Sequence, residues 1–284
     1  MIPRILCGVV ACCAIALGAT RAEASDHELI VYWSDDPFPS IWAMNPDGSD
    51  AHRLLDNEQN AKRPRLSPDR QLVAFDGAPP GKTPMSDFDI QLVATDGSGL
   101  RTLTASPMWD LDAQWIPGQP RISFSRMPAG AIWRRSWIWK VNLDGSDPRR
   151  VTRGTDGRWS PTGRRLVVSS PTRTSDGELF RVNADGTGRK QLTYTRDLES
   201  AAAWSRDGRS ILFTRYRNAY VSSVYTMRPD GRRVSRLGPG IAAGWSPDGS
   251  KILYVLSSQL YVMNADGTGK RRLSTVRAAD PDWR

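Results

Sequence analysis

The sequence predicts an all-β fold, a six-bladed β-propeller whose blades are four-stranded antiparallel sheets. Three observations carry this expectation. An apolar strand followed by x-Asp-Gly recurs six times, over residues 41–48, 90–97, 138–145, 179–186, 224–231 and 260–267. A second motif, an aromatic residue followed by a Ser-Pro-Asp-Gly-like turn, alternates with the first. The chain also ends on a lone strand of the second kind, while its N-terminal part opens with the three strands that such a strand would need.

Residues 1–24 are set aside first, because they read as an export signal. Arg4 is the basic start, residues 5–17 form an apolar run too short to span a bilayer, and Ala22-Glu23-Ala24 supplies the small-x-small cleavage site before Ser25. A rival reading takes residues 9–12 as a lipobox that would lipidate Cys12. All three cysteines, Cys7, Cys12 and Cys13, fall inside the signal, so a mature chain of residues 25–284 would have no disulfide, thiolate ligand or thiol nucleophile. The expected location is the periplasm or the exterior. No later apolar run approaches the ~20 residues of a transmembrane helix.

The Asp-Gly pairs recur at spacings of 49, 48, 41, 45 and 36 residues, the period of a propeller blade. Trp245-Ser246-Pro247-Asp248-Gly249 is the cleanest copy of the alternating motif. Trp204-Ser205-Arg206-Asp207-Gly208 and Trp159-Ser160-Pro161-Thr162-Gly163 are close, Trp115-Ile116-Pro117-Gly118 is looser, and Leu66-Ser67-Pro68-Asp69-Arg70 replaces both tryptophan and glycine. Proline presets φ at the first turn position and Asp-Gly supplies the positive φ of a tight hairpin, so each repeat holds two hairpins. The four strands are A, ending at Trp-Ser; B, apolar and β-branched; C, leading into x-Asp-Gly; and D, of Arg-Leu-Thr type.

The N-terminal region supplies a B at residues 29–32, a C at 41–45 and a D at 53–55. The matching strand A is 280–284, so the C-terminus should close the ring. Five whole blades and one shared blade make six, and radial closure leaves only short outer edges. Those edges carry Arg53, Arg101, Arg149, Arg150, Lys190, Arg236, Arg271 and Arg272. The net charge is +9, or +8 without residues 1–24, and charged edge strands that resist edge-to-edge pairing account for much of it without nucleic acid.

The Trp-Ser-Pro-Asp-Gly signature at 245–249 and Tyr-Val-Met-Asn-x-Asp-Gly at 261–267 together resemble the WD40-like (PD40-type) repeats of the TolB propeller family. The resemblance covers nearly all of residues 25–284. It implies a six-bladed ring in the periplasm, in a family whose best-known member works by protein contacts in the Tol-Pal envelope system. It stops at the propeller: Ser25 lies four residues before the first strand, and the α/β domain of TolB has no counterpart there.

Catalytic groups are scarce. The two histidines, His27 and His52, fall at the mature N-terminus and in an outer strand D, away from the axis where propeller enzymes hold their ligands. No Gly-x-Ser-x-Gly elbow accompanies the repeats. The repeat aspartates Asp47, Asp144, Asp185, Asp207, Asp248 and Asp266 read as turn formers. Asp35-Asp36, Asp87, Asp89, Asp110 and Asp112 lie off the repeat, and the pairs Asp87/Asp89 and Asp110/Asp112 could each lend two oxygens to a cation. The reading is therefore a non-enzyme with no cofactor and no metal site.

Position in the repeat also assigns loops to faces. The A–B and C–D turns share one face, here the turn face; the B–C and D–A loops share the other, the loop face. Trp115, Trp159, Trp204, Trp245 and Trp283, with Trp42 and Trp139, should pack between blades. The tryptophans off the repeat, Trp33, Trp109, Trp133 and Trp137, fall toward the loop face with Arg134, Arg135, Arg215, Tyr216 and Arg217. Tryptophan and arginine are enriched at interface hot spots, so these nine residues form the expected binding face, with their anchoring of long loops as the alternative. An envelope protein is the expected partner and the chain is expected to be a monomer. A carbohydrate or peptidoglycan fragment is the alternative ligand, and a metal-dependent lyase or hydrolase is a third reading.

Overall fold

A computed structural model describes residues 28–35, 40–55, 60–78, 88–129 and 133–284; of Trp133, Ala201 and Ala202 it describes only the backbone. The export signal, the cysteines, His27, Asp36 and Asp87 lie outside the described residues. Six four-stranded antiparallel sheets form, each in the order A-B-C-D. Blade 1 is Ala279–Trp283, Ile30–Ser34, Ser40–Met44 and His52–Arg53; blade 2 is Lys62–Leu66, Leu72–Gly77, Asp89–Ala94 and Arg101–Thr102. Blade 3 is Met108–Trp115, Arg121–Pro128, Trp137–Asn142 and Arg149–Arg153; blade 4 is Thr155–Trp159, Arg165–Ser170, Glu178–Asn183 and Lys190–Gln191. Blade 5 is Leu198–Trp204, Ile211–Tyr216, Ser222–Met227 and Ser235–Pro239; blade 6 is Ile241–Trp245, Lys251–Leu256, Gln259–Asn264 and Arg271–Arg272.

The C-terminal strand closes the ring as the repeat grammar requires. Ile30 lies opposite Trp283 and Val31 opposite Asp282, and Leu29 and Arg284 exchange both backbone hydrogen bonds, at 2.8 and 3.0 Å.

Six hydrophobic clusters fill the six gaps between neighbouring blades. Strand B shows how period-two alternation feeds two gaps at once. Ile30 and Tyr32 point toward blade 6 with Leu253 and Trp283, whereas Val31 points toward blade 2 with Leu66 and Phe75. Both faces of such a strand are dry, which is why the B runs read as continuously apolar. The repeat tryptophans pin these gaps further. The Trp115 indole N–H donates to the Arg65 carbonyl and that of Trp204 to the Arg158 carbonyl, each at 2.9 Å and each one blade back.

The Asp-Gly turns have a second task besides turning. In each, a serine or threonine two residues on, or the backbone N–H of Arg232 in blade 5, donates to the aspartate, which holds its carboxyl below the usual range. The glycine meanwhile sits against a backbone carbonyl at the end of the preceding blade's strand D. A Cβ on Gly186, whose φ is +90°, would lie 2.2 Å from the Val151 oxygen. Gly48 of blade 1 meets Leu273 of blade 6 in the same way, so the contact runs through the closure.

This contact predicts a difference between two glycines. Gly186→Ala adds a clash to an unfavourable φ and should cost about 3 kcal/mol, whereas Gly99→Ala, with φ +66° and open space around it, should cost about 1. Denaturant midpoints of the two variants check it, and equal losses would remove the interlock from the account.

Candidate functional site

Strand A of every blade lines the axial tunnel, and its ladder with strand B is irregular at the same place in all six blades. In blades 1 to 4 a left-handed residue stands there: Asp280 (φ 50°), Arg63 (φ 50°), Asp112 (φ 56°) and Asp156 (φ 51°). A bulge adds a residue to one strand and re-aims the side chains beyond it, here toward the axis. Counted from the last residue of strand A, these residues stand three back. The residue one back is Asp282, Arg65, Gln114 and Arg158 in the same four blades. Blades 5 and 6 have only Ala201 and Ala203, and Ala242 and Gly244, at these positions.

The result is a lattice of ion pairs on four blades. Arg63 is bidentate to Asp76, with Nε to Oδ1 at 3.1 Å and Nη2 to Oδ2 at 2.7 Å. Asp112 receives Arg158 Nη1 at 2.6 Å and Arg65 Nη2 at 3.4 Å, while Arg65 Nη1 also reaches the Asp280 carbonyl at 3.1 Å. Asp282 accepts the Leu66 N–H at 2.9 Å. Burial alone raises a carboxyl pKa, and Asp112 is nonetheless held below its ordinary value by Arg158 and Arg65. Asp76 has Arg63 as its ion-pair partner and also accepts the Asp112 backbone N–H at 3.2 Å, yet burial pushes it up to about 6. Burial and the neighbouring Asp112 charge raise Asp156, which accepts a 3.1 Å bond from Ser200.

Beside this lattice, toward blades 5 and 6, the tunnel holds a cavity of about 100 Å³ lined by Ser200, Thr214, Tyr216, Ile241 and Ala242. It widens at the turn face into a mouth of about 260 Å³. The edges of Trp159, Trp204 and Trp245 line this mouth together with Arg206 and Arg284.

The residues singled out from sequence do not converge. Arg215 is inside: it pairs with Glu199 at 2.8 Å and lies 4.7 Å over the Tyr225 ring. Tyr216 lines the tunnel, where burial pushes its hydroxyl up to about 12. Trp109 belongs to strand A of blade 3 rather than to a loop and packs edge-on to Phe88 at 5.7 Å. Trp137 is the first residue of a strand C and lies under Arg150 at 4.2 Å. Trp33 is half-buried under Lys62 at 5.9 Å, and Arg134 pairs with Asp176. The Trp133 backbone begins a single 3-10 turn that also holds the exposed Arg135. Arg217 stands on the loop face with Asn218 and Asp197 around a hollow of about 310 Å³. Trp33, Trp109 and Trp137 thus each have a packing partner, in Lys62, Phe88 and Arg150. Trp115, Trp159, Trp204 and Trp283 are buried between blades as expected, with Trp42, Trp139 and Trp245 partly so.

The Asp110/Asp112 pair is committed to arginines, and of the other pair only Asp89 is among the described residues. Asp110 is bidentate to Arg126 at 2.6 and 2.7 Å, Asp112 is bound as above, and Asp89 accepts from Thr104 at 3.1 Å. Among the described residues no group of three or more His, Cys, Asp and Glu is arranged to hold a metal ion.

What the sequence reading missed is apolar. Seven large hydrophobic side chains are exposed among the described residues, and Tyr194, Leu198, Tyr220, Val221, Ile241 and Val276 all stand on the loop face, on blades 5 and 6 and their flanking D–A loops. Tyr220 is 95% exposed. They share a face with the off-repeat tryptophans but stand on other blades, and Leu198 and Ile241 begin strands A rather than standing in loops, so neither residue type nor loop position singled them out.

Comparison with known proteins follows this geometry. No protein-family profile matches the chain. It is 38% identical over 118 residues to the Tol-Pal system protein TolB of Anaeromyxobacter dehalogenans, a match covering 37% of this chain and 26% of that protein. The TolB crystal structure from Acinetobacter baumannii superposes with a TM-score of 0.72 at 17% identity, over 90% of this chain and 66% of the other. The chain is a TolB-like propeller. A stretch of 109 residues is also 36% identical to the uncharacterized peptidase YuxL of Bacillus subtilis, over 36% of this chain and 17% of that protein. The chain thus spans about a quarter, or less, of the length of these curated relatives.

The buried acids set a pH dependence. Burial, with the Glu178 charge nearby, pushes Glu199 up to about 7 although Arg215 pulls the other way. A carboxyl with a raised folded pKa stabilises the fold below its unfolded value, near 4, and loses that contribution as pH rises through the folded value. Stability should therefore fall between about pH 4.5 and 7. Asp76→Asn and Glu199→Gln should each flatten that slope in denaturant midpoints taken across the window; slopes unchanged in both variants would refute the assignment.

Proposed function

We propose that this TolB-like propeller is an exported, non-catalytic scaffold that docks an envelope protein on its loop face, over blades 5 and 6. One observation carries the reading. A monomeric soluble protein scatters its exposed apolar side chains, whereas six of the seven large ones exposed among the described residues share one arc of one face. Tyr194 and Tyr220 combine large area with a polar tip, the chemistry enriched at protein hot spots. Arg217 and Asn218 supply a polar rim around the adjoining loop-face hollow.

Similarity to TolB supports an envelope partner of the Tol-Pal kind. The tunnel favours binding over catalysis, because Asp76 and Asp112 are committed to arginines and His52 sits on an outer strand, its Nδ1 donating to the Asp50 carbonyl. The peptidase similarity covers 17% of YuxL and brings no nucleophile motif with it.

The test is affinity capture from envelope extract with the mature chain, followed by titration of the captured protein against the parent and Tyr194→Ala/Tyr220→Ala. Both tyrosines are exposed, so melting should be unchanged, while each loses a hot spot worth roughly thirtyfold in affinity. Full affinity in the double variant would move the interface off this face, and failure to enrich any protein would sink the scaffold reading.

A further inference from the structure

The positive charge of the chain is not spread around the ring. Residues 133–240, which make up the outer half of blade 3 and all of blades 4 and 5, hold 22 Lys and Arg against 10 Asp and Glu. The rest of the chain holds 17 against 20. Edge-strand protection does not explain this, since every blade has a strand D. Within the basic sector, a cleft of about 580 Å³ opens in the side wall between blades 3 and 4.

Arg189 forms one wall of the cleft. Its guanidinium lies 4.1 Å from the Phe180 ring centre, and its Nη1 donates to the Arg153 carbonyl at 2.7 Å and to Thr152 Oγ1 at 3.1 Å. Arg153 faces it and donates to the Arg134 carbonyl at 3.1 Å. Neither Arg153 nor Arg189 has a carboxylate partner among the described residues, and the Arg153 charge, after burial, helps depress the Arg189 pKa. Ser170 also lines the cleft, is 2% exposed, and its hydroxyl has no hydrogen-bond partner among the described residues. Two like charges held together beside an unused hydroxyl form a site whose missing member is an oxyanion.

We propose that this cleft binds an anionic saccharide, with the Arg153 and Arg189 guanidiniums taking its carboxylate or phosphate and Ser170 a ring hydroxyl. The volume falls in the range of small-ligand sites. Strand addition by an acidic peptide is blocked at the adjoining edge: Gly186 covers the Val151 carbonyl and Arg189 already occupies that of Arg153. The site is independent of the loop-face interface, so variants made here leave that binding unchanged.

Calorimetric titration of the mature chain with a hyaluronan tetrasaccharide, glucose 6-phosphate, inorganic phosphate and neutral maltotetraose tests the assignment. At least one charged sugar should bind, maltotetraose should not, and affinity should drop from 50 to 200 mM salt. Arg153→Ala should weaken binding about tenfold without changing the melting curve, and Arg189→Lys, which keeps the charge but loses the fork, several-fold. Arg209→Ala/Arg233→Ala, which removes two arginines from the neighbouring cleft between blades 4 and 5, should have no effect. The proposal is overturned if no charged sugar binds or if phosphate binds as tightly as glucose 6-phosphate, which would mean an adventitious ion only. Equal loss in the control variant, or tighter binding of polyglutamate or anionic vesicles through the same arginines, would equally overturn it.

Discussion

Ring closure is the constraint on which the other features depend. Strand A at Ala279–Trp283 must pair with Ile30–Ser34, and the contact is reinforced over a sequence distance of 255 residues by the Trp283 indole N–H donating to Glu28 at 3.0 Å. Once closed, the circle fixes how near six strands A approach one axis. Four of them bring charges into that space, so the charges must neutralise one another at short range or the ring could not hold them. The desolvation cost of a buried arginine or aspartate is several kcal/mol, and only good geometry offsets it. The bidentate Arg63–Asp76 pair and the doubly bound Asp112 are therefore consequences of closure, as is the tolerance of left-handed φ at Arg63, Asp112, Asp156 and Asp280.

This explains which parts of the molecule were legible in the sequence. Blade number, strand order and the shared blade follow from Asp-Gly and Trp-Ser-Pro spacing, because turn chemistry is local and each glycine is doubly required, by φ and by the carbonyl beyond it. The tunnel was not legible. Period-two alternation assigns a side chain to a face only while the ladder is regular, and the bulge in strand A breaks that parity just before Asp112 and Asp156 point inward. Arg215 misled for a related reason. Its partner Glu199 lies directly opposite it across strands A and B, a pairing that only the register reveals.

The tryptophans show the limit of reading residue type as function. Trp109, Trp137 and Trp33 stand where loops meet strands, yet each finds a partner of its own in Phe88, Arg150 or Lys62. A large indole next to a long loop lowers the free energy of that loop by packing, so its presence is explained before any ligand is considered. Tyr220, 95% exposed, has no such partner among the described residues and remains in water.

Tunnel and surface then divide along the same line. Blades 1 to 4 place Asp, Arg and Gln at the two inward positions, whereas blades 5 and 6 place alanine and glycine there, and the cavity opens toward those two blades. The exposed apolar side chains stand over blades 5 and 6 as well. A sector with no charge at those two inward positions needs no fixed geometry there to keep buried charges matched, and the Glu199–Arg215 pair of blade 5 is held within that single blade. The charged lattice would pay a penalty for any displacement, whereas Ala203, Ala242 and Gly244 lose almost nothing when a neighbouring strand shifts by a fraction of an ångström. Adaptable contact surface therefore belongs on blades 5 and 6, and the rigid lattice opposite keeps the ring closed while it is used.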